Sequence, residues 1–190
     1  LSYSELNVRV NQLAHFLKGT QDLKEGDRVA LLQNRSEQLI ISLLAVLKTG
    51  ASYVPLDPSY PEERIRYMLE DSGACLLLTD QKECPFNSVN ACFIEANKNK
   101  INECSEDNLN TIISDQSIAY VMYTSGSTGK PKGVQITHGS LLNYSLACKT
   151  YFNVSSSDRI IQQSSVAFDT MVEEIYTALV SCSAIIIAKN

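Results

Sequence analysis

Residues 118–133 read IAYVMYTSGSTGKPKG, and the reading of the whole chain turns on them. Ile118 to Tyr123 form a β-prone run. A loop follows over 124–133, with glycines at 126, 129 and 133 and hydroxyls on Thr124, Ser125, Ser127 and Thr128. Lys130 and Lys132 flank Pro131. Glycines let backbone N–H groups converge on one point, hydroxyls add short donors, and lysines supply positive charge. That combination suits a polyphosphate.

The spacing excludes the commoner phosphate loops. A Walker A loop needs four residues between its glycines and Ser or Thr directly after its Lys. Here Gly126 and Gly129 enclose two residues, and Pro131 follows Lys130. The dinucleotide fingerprint has a different spacing again. A flexible Gly/Ser linker is the plain alternative, but this run lies between two strand-like segments, 118–123 and 134–137.

On the N-terminal side, Ser2 and Glu5 make a capping box that opens a helix. Leu6, Val10, Leu13, Ala14 and Leu17 give it one apolar stripe, and Gly19 is expected to end it. Residues 27–33 read as a buried strand. Ser36 caps a helix over 37–49 that is apolar around most of its circumference and closes at Gly50. Residues 51–56 form a strand. Pro61 is expected at the first position of a helix with Glu62 and Glu63 in its first turn, an inner face of Ile65, Met68 and Leu69, and a stop at Ser72-Gly73. Residues 74–79 are again a strand. This β-α-β-α-β rhythm predicts an α/β fold with a doubly wound, mostly parallel sheet flanked by helices. Residues 80–115, rich in Asn, Lys, Asp and Glu, are expected to be a surface loop around a small strand at 91–94.

On the C-terminal side, the expected order is a helix over 140–150 with His138 just before it, a strand over 159–163, a helix over 170–181 and a strand over 184–188. The helix over 170–181 carries an inner stripe of Val172, Ile175, Tyr176, Leu179 and Val180. Asp169 stands at its start, where it could serve as N-cap.

The chain has 190 residues, enough for one domain with a sizeable core. Its net charge of −5 argues against nucleic-acid and anionic-membrane partners. No apolar run is long enough to span a membrane, and no signal peptide is visible. The six cysteines show no C-x-x-C pair and no metal-like spacing with His15 or His138, so reduced thiols, a cytoplasmic setting and no protein metal site are expected.

TSGSTGKPKG resembles the signature loop of the adenylate-forming, AMP-binding superfamily. LSYSEL at 1–6, LKTGASYVPLD at 47–57, the loop itself and FDTM at 168–171 resemble, in order, the first four core motifs of nonribosomal peptide synthetase adenylation domains. The resemblance implies that residues 1–190 are the N-terminal part of such a domain, with the rest of the core and a C-terminal lid carrying the catalytic lysine lying elsewhere. It implies ATP-dependent activation of an amino acid as its aminoacyl-AMP, with Mg²⁺, and loading onto phosphopantetheine of a carrier domain in the remainder of the synthetase. An acyl- or aryl-CoA ligase fragment and a non-catalytic remnant are the alternatives. By resemblance Thr124, Ser125, Gly126, Ser127, Thr128, Gly129 and Lys132 bind the β- and γ-phosphates, and Asp169 pairs with the substrate's α-ammonium. Met171 departs from the small polar residue usual in that motif. His138 would border the active site. Glu173, four residues after Asp169, would line the pocket that reads the substrate side chain. On a helix starting near Asp169 the two share a face, with Val172, Ile175 and Tyr176 pointing into the core. A carboxylate there suggests a substrate with a second cationic or hydrogen-bond-donating group, such as ornithine, lysine or arginine; a solvated first-turn Glu favoured by the helix dipole, or a Glu neutralised by a lysine or arginine on the opposite pocket wall, is the alternative.

Overall fold

Helix α1 (Tyr3–Thr20) starts where the capping box places it: Ser2 Oγ accepts from the Glu5 amide at 3.2 Å, and the Ser2 amide donates to Glu5 Oε2 at 2.7 Å. This computed structural model describes residues 1–125 and 130–188. Helix α1 runs through Gly19 instead of ending there. An isolated glycine weakens a helix without stopping it, and the chain turns only at Asp22, whose φ is 50°.

Strands β1 (Arg28–Leu32), β2 (Ser52–Leu56), β3 (Leu76–Thr79), β4 (Asn90–Phe93), β5 (Ile118–Thr124) and β6 (Lys132–Thr137) form one sheet in the order β4-β3-β1-β2-β5-β6. The first five are mutually parallel; β6 returns antiparallel to β5. Helix α2 (Glu37–Thr49) joins β1 to β2 and ends at Gly50 with φ 85°, a conformation that favours glycine. Helix α3 (Glu62–Ser72) joins β2 to β3. Pro61 sits one residue outside it as N-cap, its carbonyl accepting from the amides of Arg64 and Ile65.

Both faces of the sheet are covered, so successive strand residues belong to opposite cores. Val29 and Leu31 of β1, Tyr53 of β2 and Met122 of β5 pack with α1 and α2. Ala30, Leu32, Val54, Leu56 and Val121 pack with Ile65, Met68 and Leu69 of α3.

Residues 80–115 are not simply a loop. They contain edge strand β4, which extends the parallel sheet beyond β3, and helix α4 (Ile94–Asn102). The sequence IEANKNKIN has only two apolar residues besides its alanine, Ile94 and Ile101, both buried in the core that includes α1. Tertiary contacts hold it: Gln12 Nε2 donates to the Asn102 carbonyl at 2.9 Å.

Helix α5 (His138–Tyr151) begins two residues earlier than expected, with Thr137 as its cap. Its buried residues are Leu141, Ser145 and Cys148, leaving Leu142, Tyr144 and Leu146 exposed. Strands β7 (Arg159–Gln162) and β8 (Ala184–Ile187) do not join the main sheet. They form a separate parallel pair connected through helix α6 (Asp169–Ser181). Val172, Ile175 and Tyr176 are buried as the stripe requires, but Leu179 and Val180 are half-buried, and Met171 and Ala178 take core positions. No helix of the described residues is long and apolar enough to cross a membrane.

Candidate functional site

The sheet delivers Thr124 and Ser125 to the carboxyl end of β5, the end at which open α/β sheets bind ligands. Gly126, Ser127, Thr128 and Gly129 lie outside the described residues. The chain re-enters at Lys130 and runs back as β6, which pairs Lys132 with Thr124 and Gly133 with Tyr123. A Cβ on Gly133 would stand 3.0 Å from Val121 Cγ1 and 3.2 Å from Tyr123 Cζ, so a larger residue there would have to push these side chains aside. Helix α3 anchors the same hairpin. The Tyr123 hydroxyl donates to Asp71 Oδ2 at 2.7 Å, and the Tyr67 hydroxyl donates to the Pro131 carbonyl at 3.3 Å. Lys130 Nζ lies 5.9 Å from the centre of the Tyr67 ring.

Thr124 and Ser125 open into a cavity of about 770 Å³ that Asp169 also lines. The loop hydroxyls and the carboxylate singled out from separate motifs therefore meet in one place. Lys132 is exposed on the strand beside that cavity, outside its lining. Asp169 is the first residue of α6. Phe168 is the N-cap and makes no side-chain capping bond, so Asp169 is not the cap. Its charge is felt at Tyr120. Burial, and then the negative charge of Asp169, push the Tyr120 phenol up to about 12. Behind this wall Tyr120 stacks on Tyr53 at 5.4 Å, and the Tyr176 hydroxyl donates to the Tyr53 hydroxyl at 3.1 Å. A chain of buried rings thus ties β5, β2 and α6 together.

Two carboxylates set the loop that leads to Asp169. Glu174 accepts from the Gln163 amide at 3.2 Å and from Ser164 Oγ at 2.7 Å. Asp57, the last residue of the YVPLD stretch, accepts from Ser165 Oγ and, at 2.6 Å, from Ser59 Oγ. Burial opposes ionisation of Asp57, but these hydrogen bonds outweigh it and hold the carboxyl below its usual range. Arg35 Nη1 donates to the Gln163 carbonyl.

Other expected residues fall differently. Val172 borders the cavity as well as the core, so the apolar stripe does not turn wholly away from Asp169. Glu173 does not line the cavity. Its Oε2 accepts from the hydroxyl of Tyr144, which does, at 2.7 Å, and lies 3.9 Å from Cys148 Sγ. The bond to Glu173, followed by burial, raises the Tyr144 phenol. Met171 is fully buried in the core and does not face the cavity, so its departure from the motif is a packing choice. His138 is the first residue of α5 and lines a different cavity, beside α1 and α2; burial pushes its imidazole down.

Sequence reasoning missed Tyr120, Arg64 and Tyr144, all of which line the cavity. For Tyr120 the signal was present: Tyr120, Met122 and Thr124 alternate along β5 and so share a face. Arg64 and Tyr144 come from other elements, and nothing in local spacing points to them. Among the described residues no group of His, Cys, Asp and Glu could by itself hold a metal ion.

Over residues 1–190 the chain matches the family described as AMP-binding enzyme. It is 38% identical over 189 residues to tyrocidine synthase 3 of Brevibacillus parabrevis, covering 100% of this chain and 3% of that protein. It is 40% identical over 191 residues to bacitracin synthase 3 of Bacillus licheniformis, again covering 100% of this chain and 3% of that protein. The chain thus spans a small part of the length of the synthases it matches. The N-terminal subdomain of Klebsiella oxytoca NpsA, solved in complex with 3-hydroxybenzoyl-AMSN, superposes with a TM-score of 0.87 at 30% identity, covering 99% of this chain and 47% of that one. NpsA-ThdA, an artificially fused adenylation–PCP di-domain from the same organism, superposes with a TM-score of 0.86 at 30% identity, covering 99% of this chain and 37% of that one.

Proposed function

The chain belongs to the AMP-binding enzyme family, and on that premise we propose that residues 1–190 are the N-terminal part of an adenylation domain in a nonribosomal peptide synthetase. The reaction proposed is activation of an amino acid as aminoacyl-AMP, followed by transfer to the phosphopantetheine thiol of a carrier domain. The observation that carries this is the convergence of Thr124, Ser125 and Asp169 on one cavity at the carboxyl ends of the strands.

In that reaction a carboxylate oxygen attacks the α-phosphorus of ATP, and the bond to pyrophosphate breaks. Two anions must approach, so the protein has to offset charge and hold the carboxylate in line. Thr124, Ser125, the residues 126–129 and Lys132 would hold the β- and γ-phosphates. Asp169 would fix the α-ammonium, which orients the adjoining carboxylate. Mg²⁺ would arrive with the triphosphate, since it is commonly bound by phosphate oxygens with few protein ligands. Tyr144 would form the side-chain end, with Glu173 behind it. Glu173, held behind Tyr144, would present negative charge to a second cationic group on the substrate, as in ornithine, lysine or arginine. The six cysteines, free in this fold, suit a cytoplasmic enzyme.

The NpsA complex with 3-hydroxybenzoyl-AMSN favours a second reading, an aryl-acid ligase. Such an acid has no ammonium for Asp169 to meet. Amino-acid-dependent ATP–pyrophosphate exchange on the full natural chain, with amino acids and aryl acids compared, decides the matter. Exchange with amino acids is expected; exchange with aryl acids alone would overturn the proposal.

A further inference from the structure

Arg64 brings a guanidinium to the candidate cavity, and no anionic partner meets it among the described residues. It is the third residue of α3 and lines the cavity together with Thr124, Ser125 and Asp169. Its guanidinium carbon lies 4.1 Å from the centre of the Tyr60 ring, so the side chain is laid along one wall. Its Nε is buried and has no hydrogen-bond partner among the described residues. Of the acids near it in sequence, Glu62 pairs with Arg66 at 2.6 Å, and Asp71 accepts from Tyr123 at 2.7 Å. Buried donors in folded proteins are nearly always satisfied. A planar fork held against an aromatic ring, in a cavity shared with hydroxyl donors, is matched to a phosphate or a carboxylate.

We propose that Arg64 is a further substrate-binding residue, which meets the triphosphate of ATP in the cavity it shares with Thr124 and Ser125. The inference rests on the reading of this cavity as an adenylation site. Phosphate is favoured over the substrate carboxylate because Thr124 and Ser125, the loop hydroxyls, share the cavity with Arg64, and because Asp169 in the same cavity supplies the complementary charge for the ammonium end. Arg64 and Asp169 then divide the cavity between an anion and a cation.

The test is Arg64→Met in the full natural chain, assayed by pyrophosphate exchange at several salt concentrations, with AMP as competing inhibitor. The Michaelis constant for ATP should rise about 10- to 150-fold. The inhibition constant of AMP and the Michaelis constant of the amino acid should hold within about threefold. The salt dependence of ATP use should flatten, because one charge contact is gone. Arg64→Lys keeps the charge without the fork and should fall between wild type and Arg64→Met, which also decides the case if Arg64→Met folds poorly. A change of ATP and AMP affinities together, an unchanged ATP constant, or a rise in the amino-acid constant alone would overturn the proposal. Wild-type exchange in the same assay reports separately on the adenylation reading itself.

Discussion

The Tyr144 hydroxyl of α5 donates to Glu173 Oε2 of α6 across 2.7 Å, so the carboxylate behind the cavity already has one partner within the chain. A half-buried carboxylate already held by donors within the chain can serve a cationic substrate group without being left bare when the site is empty. Glu173→Gln should therefore cut kcat/KM for ornithine, lysine and arginine by about tenfold or more, while leaving apolar amino acids within about twofold. Tyr144→Phe should have the smaller effect, because the carboxylate keeps its charge. A substrate panel by pyrophosphate exchange checks this. A wild type that prefers an apolar amino acid, with the preference and rate kept by Glu173→Gln, would show that Glu173 has no part in selection.

Lys132 stands across the hairpin from Thr124 and outside the cavity lining, on a long, flexible stem. Lys132→Ala should raise the ATP Michaelis constant or lower turnover by roughly 10- to 150-fold, the loss of a charge-assisted contact of about 1.5–3 kcal/mol. Amino-acid binding should be unchanged. Steady-state kinetics with each substrate varied in turn measure this, and equal constants for variant and wild type would make Lys132 a solvated surface charge.

Asp57 and Asp169 are far apart in sequence, but Asp57 holds Ser165, three residues before Phe168. Loosening that clamp should displace Asp169 while sparing the β5–β6 hairpin, which is anchored on α3 through Tyr67 and Tyr123. Asp57→Ala should raise the amino-acid Michaelis constant by about 10- to 100-fold, and that for ATP by much less. Ser165→Ala should shift the same constant in the same direction. Equal rises in both constants would mean a general loss of structure.

The buried tyrosines set an alkaline limit on stability. Burial raises the phenols of Tyr53, Tyr120, Tyr123 and Tyr176, that of Tyr120 to about 12. A raised phenol pKa means that the folded chain keeps a proton which the unfolded chain releases near pH 10. The stabilisation is therefore full below about pH 10 and is lost as pH rises toward about 12, at up to about 1.4 kcal/mol per pH unit for each such group. Thermal unfolding measured across this range should show the melting temperature falling steeply. Tyr53→Phe should flatten the fall. A melting temperature independent of pH up to 12, a value at which Tyr120 itself would ionise, would contradict the account.

Local chemistry alone determined much of this protein. Ser2 with Glu5, Ser36, Gly50 and Gly73 mark helix ends through backbone groups that need a cap or a left-handed turn, and the structure places those ends there or within a residue. The period of two along β1, β2 and β5 told which residues share a face, and the glycine spacing of residues 118–133 told which kind of phosphate loop to expect. Tertiary structure decided what local spacing does not encode. Helix α4 exists because Ile94 and Ile101 find the core beside α1 and Gln12 caps its end, none of which its own polar sequence announces. Among the described residues strands β7 and β8 pair only with each other, because strand partners are chosen by long-range packing and not by composition. The site follows the same division. The sequence marked Thr124, Ser125 and Asp169 separately; only tertiary packing brings them to one cavity, sets Arg64 and Tyr144 on its walls, and leaves Glu173 one layer behind it.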